Sequence, residues 1–403
     1  MSDDGMIINN NGGGSDDNPF NPGFGVPPPE LAGRGSVRAE FARAFEIGSR
    51  DPWYIATLVG DRGVGKTAVL NDIEQRMRGK NWAVIHEQVV DGQPLLKTLL
   101  SDLITEAGSK WSRIKKSLRE FDLEATLGVN VGVAAASIKA RRAVSAPTAT
   151  QLTRDVLRVI GKHAQATGVG VLITIDEVQG WADRQELGAL ASALQLVSKR
   201  EGLPVAVIFA GLPFSHEVLS GAGTFFERMP FEALGDLSRE STEIAFLKPA
   251  IRAGVHIEAE ALELLTVGSS GYPYLIQLAG WYSWPAAGSP RTITVESAER
   301  GLALARVEIN KLFVGRWADC TPMQRAYLWA VASVAGAATN KEIATALGRT
   351  TAQVGPHRHE LIHTHHLLDA HGYGEVTISL PGFAQWILEQ GSVEIPALKE
   401  RGR

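Results

Sequence analysis

Eight consecutive residues have the types and spacing of a loop that binds phosphate: Gly60, Asp61, Arg62, Gly63, Val64, Gly65, Lys66 and Thr67. They follow an apolar run over 53–59 and precede a segment of helical character that starts at Ala68. Glycines let backbone N–H groups curl around a phosphate, and the start of a helix adds positive potential. The lysine can reach the β- and γ-phosphates, and the threonine hydroxyl can ligate Mg²⁺. The loop and Ala68 therefore predict a binding site for a nucleoside triphosphate.

Two acidic residues, Asp176 and Glu177, end a second apolar run over 168–177. Such a pair can simply cap a helix, so its meaning depends on the loop. Ligands of parallel sheets bind at the carboxyl ends of the strands, where the loop is also expected. One acid can hold Mg²⁺ through water, and its neighbour can activate the attacking water. We therefore assign Asp176, with Thr67, to magnesium, and Glu177 to general base catalysis beside Lys66.

The elements that must position these residues alternate between strand and helix. Apolar runs at 53–59, 82–90, 168–177 and 205–210 are separated by segments of helical character. This alternation predicts an α/β fold with a parallel sheet that helices cover on both faces. From about residue 238 the pattern is mainly helical, with a short β-prone stretch near 375–380.

Composition sets limits on the rest of the chain. The 403 residues include 40 Lys and Arg against 44 Asp and Glu, so the overall charge does not indicate nucleic-acid binding. Cys320 is the single cysteine, which excludes an intrachain disulfide. No run is long enough to span a bilayer and no export signal is present, so we expect a cytoplasmic protein without a membrane partner. Residues 1–30 are rich in Asn, Gly, Asp and Pro, which predicts a disordered tail.

A basic insertion is expected over about 109–145. It contains two groups of cationic residues: Lys110, Arg113, Lys115, Lys116 and Arg119, then Lys139, Arg141 and Arg142. These charges either face solvent or form a contact surface for nucleic acid, acidic protein or membrane.

The glycine loop, the run Ile173–Glu177 and the segment Leu31–Arg34 together resemble AAA-type ATPases, specifically the origin-recognition-like and archaeal-type branch that borders on the signalling STAND ATPases. The resemblance covers roughly residues 31–284. It implies a P-loop ATPase core over 31–237, a small helical lid over 238–310, and ATP with Mg²⁺ as cofactors. It also implies that Gly33 and Arg34 lie beside the nucleotide base, and that Pro273 begins a lid helix near the adenine.

The same resemblance draws attention to Arg228. An arginine in this position can reach the γ-phosphate of a neighbouring subunit, which implies self-association on ATP binding. A plain surface ion pair is the alternative. Two departures from the family pattern favour slow turnover: Gly211-Leu212-Pro213 lacks the usual polar sensor, and the lid helix lacks a second sensor arginine.

The region 311–403 looks like a winged-helix domain. Its segment 341–348 resembles the first helix and turn of a helix-turn-helix, and Thr350 or Thr351 would cap the next helix. Basic and acidic residues nearly balance in this region, so DNA and protein both remain open as its target.

These inferences predict a Mg²⁺-dependent ATPase that hydrolyses ATP slowly to ADP and phosphate and acts as a switch. The expected setting is DNA-associated: replication initiation, mobile-element assistance or defence. DNA contact would use the winged helix or the basic insertion. The alternative is a regulatory nucleotide-binding scaffold with little turnover, whose winged helix binds protein.

Overall fold

A computed structural model describes residues 18–23, 25–90, 93–111, 148–286, 290–334, 336–370 and 374–391. Its contacts divide the chain into two units. The core unit consists of Arg34–Gly60 and Lys66–Leu234, and the C-terminal unit consists of Met1–Gly33, Asp61–Gly65 and Gly235–Arg403. Most of the expected basic insertion, residues 112–147, lies outside the described residues.

A parallel five-stranded sheet organises the core unit. Its strands are β1 (Ile55–Val59), β2 (Ala83–Gln88), β3 (Val171–Asp176), β4 (Val205–Gly211) and β5 (Phe231–Ala233). They lie in the order β2-β3-β4-β1-β5, and every pairing is parallel. β3 and β4 are buried along their whole length, as strands at the centre of a covered parallel sheet must be. The predicted parallel α/β fold is confirmed.

In the described part of the core unit, six helices flank the sheet: α1 (Gly35–Ile47), α2 (Lys66–Gly79), α3 (Leu95–Lys110), α4 (Ala149–Thr167), α5 (Arg184–Leu194) and α6 (Ser215–Ser220). A π-helical turn, Gln195–Arg200, continues α5. The leucines of α3 have helical spacing, and Leu96, Leu99 and Leu103 are fully buried in the same cluster as strand residues Ile173 and Val207.

The C-terminal unit is mainly helical: α7 (Arg239–Arg252), α8 (Ala259–Ser269), α9 (Pro273–Ser283), α10 (Val295–Ala318), α11 (Pro322–Ala332), α12 (Asn340–Ala346), α13 (Thr351–His363) and α14 (Phe383–Glu389). Its short strands are β6 (His256–Ile257), β7 (Thr292–Ile293), β8 (Ala338–Thr339), β9 (Leu368–Ala370) and β10 (Glu375–Ile378). β8, β10 and β9 form an antiparallel sheet in that order. Thr350 caps α13 by accepting from the Gln353 N–H, and Pro356 lies inside that helix. In the described ranges, no helix is long and apolar enough to cross a membrane.

The contacts of residues 18–23 and 25–30 correct the expectation of a disordered tail over 1–30 for this part of the chain. The Phe20 side chain has no exposed surface, and its ring centroid lies 6.0 Å from that of Phe246 and 5.8 Å from that of Trp284. Gly280 makes room for the ring, because a Cβ there would lie 2.4 Å from Phe20 Cδ1. The average composition of the segment therefore does not predict whether it is ordered, since Phe20 supplies buried apolar area that holds the described residues in place.

Ion pairs also fix the end of this segment. The Glu30 carboxylate accepts from Lys248 Nζ at 3.0 Å and from Arg252 Nη2 at 2.6 Å. These two contacts lower the pKa of Glu30, against the opposing effect of its partial burial. Residues 1–17 lie outside the described part of the chain.

Phe20→Ala should destabilise the protein by about 3 kcal/mol, the usual cost of removing a buried phenyl group. Val26, in the same segment, is 44% exposed, so Val26→Ala should change stability by less than about 0.5 kcal/mol and serves as the control. Urea unfolding followed by tryptophan fluorescence measures both variants. Equal effects of the two substitutions would show that the segment is not anchored through Phe20.

A buried carboxyl group makes the stability of the core unit depend on pH. Glu87 on β2 is 7% exposed. Burial, with a hydrogen bond to Asp102 of α3, raises the pKa of Glu87 to about 7. The folded protein therefore holds this proton more tightly than the unfolded chain, and stability is lost as the pH rises through about 7.

Glu87→Gln keeps the shape of the neutral side chain and removes the ionisation. Its melting temperature should match the wild type at pH 5 and exceed it at pH 8.5, by the equivalent of roughly 1–2 kcal/mol. Glu46→Gln, on the exposed face of α1, is the control and should show no such pH-dependent difference. Parallel melting curves of wild type and Glu87→Gln at both pH values would contradict the assignment.

Candidate functional site

The glycine loop joins β1 to α2. Gly63 and Gly65 have φ values of +80° and +94°, in the left-handed region that glycine adopts without strain. Lys66 is the first residue of α2, so Thr67 and Ala68 also lie in its first turn. The first N–H groups of a helix have no partners within it, which makes this turn suited to an anion.

The structure brings Lys66, Thr67, Asp176 and Glu177 together at the carboxyl edge of the sheet. Lys66 is 6% exposed, and its Nζ donates to the Gly60 carbonyl at 2.7 Å. Thr67 Oγ1 donates to Asp176 Oδ2 at 2.5 Å. The other carboxylate oxygen, Oδ1, accepts from the Glu177 N–H at 2.8 Å. The predicted halves of the site are therefore in direct contact.

Glu177 has an unusual backbone conformation, with a φ of +55°. A left-handed residue other than glycine is strained, and such strain is frequent at functional sites. The Glu177 carboxylate accepts a hydrogen bond from Gln179 Nε2. The sequence analysis missed Gln179. The available signal was an amide residue two positions after the paired acids.

A buried polar cluster ties α2 to β2 and β3. Thr174, on the same face of β3 as Asp176, donates through Oγ1 to Glu74 Oε1 at 2.6 Å. His86 Nδ1 lies 2.8 Å from the same Glu74 oxygen. This hydrogen bond raises the pKa of His86 above its ordinary value. Sequence reasoning gave no indication of the cluster, because its members are far apart along the chain.

In the C-terminal unit, the tip of the loop contacts Tyr272. The Tyr272 hydroxyl donates to the Arg62 carbonyl at 3.0 Å. A Cβ on Gly63 would lie 2.3 Å from that hydroxyl, so the contact requires glycine there. Pro273 is the first residue of α9, as expected for a proline that begins a helix.

Gly33 and Arg34, the other residues expected beside the nucleotide base, both lie in the described part of the chain. Gly33 has a φ of +67°, and a Cβ on it would lie 2.9 Å from Ser241 Oγ within the C-terminal unit. Arg34, in the core unit, is 8% exposed and directly precedes α1. The contacts of Gly33, Arg34 and Pro273 with a nucleotide base stay predictions.

Arg228 lies at the opposite edge of the sheet. It ends a 3₁₀ turn before β5 and lines a cavity of about 400 Å³ together with Ile55, the first residue of β1. Lys199 lines the same cavity, and its Nζ donates to backbone carbonyls of Ser49 and Asp51 at 3.0 and 2.8 Å. The structure therefore does not bring Arg228 together with Lys66 or Glu177 of its own chain.

The side chains at the carboxyl edge fit magnesium and a triphosphate. Mg²⁺ prefers oxygen ligands and usually takes only one or two protein groups besides phosphate and water. Thr67 and Asp176 offer one hydroxyl and one carboxylate in contact. In the described part of the chain, no group of three or more His, Cys, Asp or Glu side chains could hold a metal ion by itself. A site completed by substrate phosphates is consistent with that arrangement.

Comparison with known proteins supports this interpretation for part of the chain. Residues 30–208 match the family model of the AAA ATPase domain, and residues 310–387 match a model described as a domain of unknown function. A comparison with curated proteins found no match.

A comparison with solved structures matched this chain to several of them. A Walker-type ATPase of Pyrococcus abyssi has a TM-score of 0.56 at 13% identity, with 89% of this chain and 96% of that chain covered. Cdc6p from Pyrobaculum aerophilum has a TM-score of 0.45 at 13% identity, with coverage of 93% and 98%. The Orc1 protein of Aeropyrum pernix, solved in complex with DNA, has a TM-score of 0.41 at 15% identity, with coverage of 90% and 93%.

The fold and the geometry of the site are those of a P-loop nucleotide-binding core. Residues 30–208, which match the model of the AAA ATPase domain, span most of this core unit. At 13% identity, the Pyrococcus abyssi structure supports the fold alone.

Gly63→Ala should weaken ATP binding by about tenfold or more, because the added Cβ strains the left-handed backbone and meets the Tyr272 hydroxyl. Gly79→Ala, at the exposed end of α2, meets no atom within 4 Å and is the matched control. Titration with a fluorescent ATP analogue measures both. Wild-type affinity in Gly63→Ala would show that the loop conformation is not needed for binding.

Proposed function

We propose that this protein is a Mg²⁺-dependent ATPase in which ATP binding and slow hydrolysis switch its conformation or assembly. The observation that carries the proposal is the convergence of a buried lysine, a threonine hydroxyl and two acids at one edge of the sheet. The AAA ATPase domain match over residues 30–208 supports it.

Each residue at this edge has a proposed role. Lys66 binds the β- and γ-phosphates. To do so, its ammonium group gives up the hydrogen bond to the Gly60 carbonyl. Thr67 and Asp176 would hold magnesium, which would neutralise phosphate charge. Glu177 orients the attacking water and accepts its proton. The N–H groups of the loop, residues 60–68, stabilise the remaining phosphate charge.

We assign Arg228 to the nucleotide of a neighbouring molecule. Arg228 lies at the edge of the sheet where β1 begins, and the phosphate loop follows the end of β1. The five residues of β1 put a distance of about 13 Å or more between them. Within the described ranges, no carboxylate lines the cavity beside Arg228, so an incoming phosphate would meet two cations, Arg228 and Lys199. The proposal therefore includes self-association on ATP binding, with Arg228 acting in trans.

We further propose that residues 238–310 form a lid and residues 311–403 a winged-helix domain. The supporting observation is the order α11, β8, α12, α13, β9, β10, in which the strands form one antiparallel sheet. Its target is DNA or protein. A DNA-associated setting, such as replication initiation, mobile-element assistance or defence, belongs to this proposal.

One observation favours a second candidate, a nucleotide-binding scaffold with little turnover. β4 ends in Gly211 and is followed by Leu212 and Pro213, so its own residues place no polar side chain near the γ-phosphate position. Such a protein would bind ATP and signal through its C-terminal unit.

Glu177→Gln should lower kcat by about 100-fold or more and leave the affinity for ATP within about threefold of wild type, because it removes the base and keeps the phosphate loop. Lys66→Ala should abolish ATP binding. Glu217→Gln, an exposed residue of α6, is the control. Phosphate release and ATP titration measure both properties. Turnover that survives Glu177→Gln contradicts the ATPase mechanism, and a wild type that binds ATP without turnover supports the scaffold.

A further inference from the structure

A side chain from another element fills the space at the end of β4. Gln179 Oε1 accepts hydrogen bonds from the Leu212 N–H at 3.0 Å and from Ser215 Oγ at 3.4 Å. A Cβ on Gly211 would lie 2.6 Å from that Gln179 oxygen and 2.2 Å from Ser215 Oγ. Glycine at 211 therefore leaves the space that the Gln179 amide occupies.

The hydrogen bonds fix the orientation of this amide. The Leu212 N–H can only donate, so the oxygen of Gln179 must face it. The amide nitrogen is then left to donate to the Glu177 carboxylate, which is the contact observed. The left-handed backbone of Glu177 and the short turn Val178–Gly180 bring Gln179 back towards β4.

The same end of β4 also holds the phosphate loop. The Gly60 N–H donates to the Gly211 carbonyl at 3.2 Å, and the Gly60 carbonyl accepts from Lys66 Nζ at 2.7 Å. The Gly211 carbonyl and the Leu212 N–H belong to one peptide group. That single peptide group therefore contacts the loop on one side and Gln179 on the other.

We infer that Gln179 is a positioning residue for hydrolysis, which holds Glu177 in a fixed place relative to the phosphate loop. Its amide engages Glu177 Oε2, which leaves Oε1 available to accept the proton of the attacking water. The inference rests on the proposed role of Glu177 as general base. Gln179 lies in the turn that follows β3, and its amide supplies the polar contact that the residues of β4 do not provide.

The test compares Gln179→Ala and Gln179→Glu in the full chain, with kcat and KM for Mg²⁺-ATP, the pH profile of kcat and the melting temperature as readouts. Gln179→Ala should lower kcat by about 10- to 100-fold, because a reacting group misplaced by about 1 Å costs that much. Its KM should stay within about threefold of wild type. Gln185→Ala and Gln185→Glu, at an exposed position at the start of α5, are the matched controls.

Gln179→Glu adds a readout that a merely structural role would not move. The new carboxylate can still accept from the Leu212 N–H, but it places a like charge against Glu177, and two such groups retain a proton to higher pH. The acidic limb of the kcat profile should therefore move up by about one pH unit or more. Gln185→Glu should leave the profile unchanged.

The outcomes separate this inference from the proposed function. If wild type hydrolyses ATP and Glu177→Gln does not, a kcat in Gln179→Ala equal to or above the wild-type value overturns the positioning role alone. If Gln179→Ala does not fold, an unshifted pH profile in Gln179→Glu overturns it. If wild type shows no turnover, or Glu177→Gln retains it, the proposed mechanism fails and the positioning role fails with it.

Discussion

One hydrogen bond, from Thr67 Oγ1 to Asp176 Oδ2 at 2.5 Å, joins the two halves of the candidate site. Its partners lie 109 residues apart in sequence, on the first turn of α2 and the last residue of β3. Further along the same two elements, Thr174 donates to Glu74 at 2.6 Å and forms a second, buried connection. Leaving such buried groups unbonded would cost about 1–3 kcal/mol each, so these contacts fix the helix against the strand. The hydroxyl and the carboxylate are thereby held in contact, as the proposed magnesium site requires.

The local parts of this site could be predicted from the sequence. The glycine loop, Lys66 and Thr67 form one continuous motif, and an apolar run ending in Asp176 and Glu177 indicates its own place at the edge of a parallel sheet. Gln179 could not be assigned in the same way. Its role depends on the left-handed backbone of Glu177 and on the missing Cβ at Gly211, which only the folded chain brings together.

In the fold, too, local features could be predicted from the sequence and contacts between distant residues could not. Alternating apolar runs were sufficient to predict the parallel sheet, because the central strands are mostly apolar and buried along their whole length. The strand order β2-β3-β4-β1-β5 could not be predicted from those runs, since the pairing of strands depends on contacts between residues that are distant in sequence. The expectation of a disordered tail was wrong for the described residues 18–23 and 25–30, because average composition does not reveal a single buried side chain such as Phe20, which packs against Phe246 and Trp284. The lid and the winged helix stay predictions.

A crystal structure with Mg²⁺ and a non-hydrolysable ATP analogue tests the central claim most directly. The account predicts that Lys66 Nζ leaves the Gly60 carbonyl, now 2.7 Å away, for a phosphate oxygen. Thr67 Oγ1 should bind the metal ion beside Asp176, and the Glu177 carboxylate should face the γ-phosphate. A nucleotide whose phosphates lie away from the loop, with Lys66 still bonded to Gly60, would contradict the account.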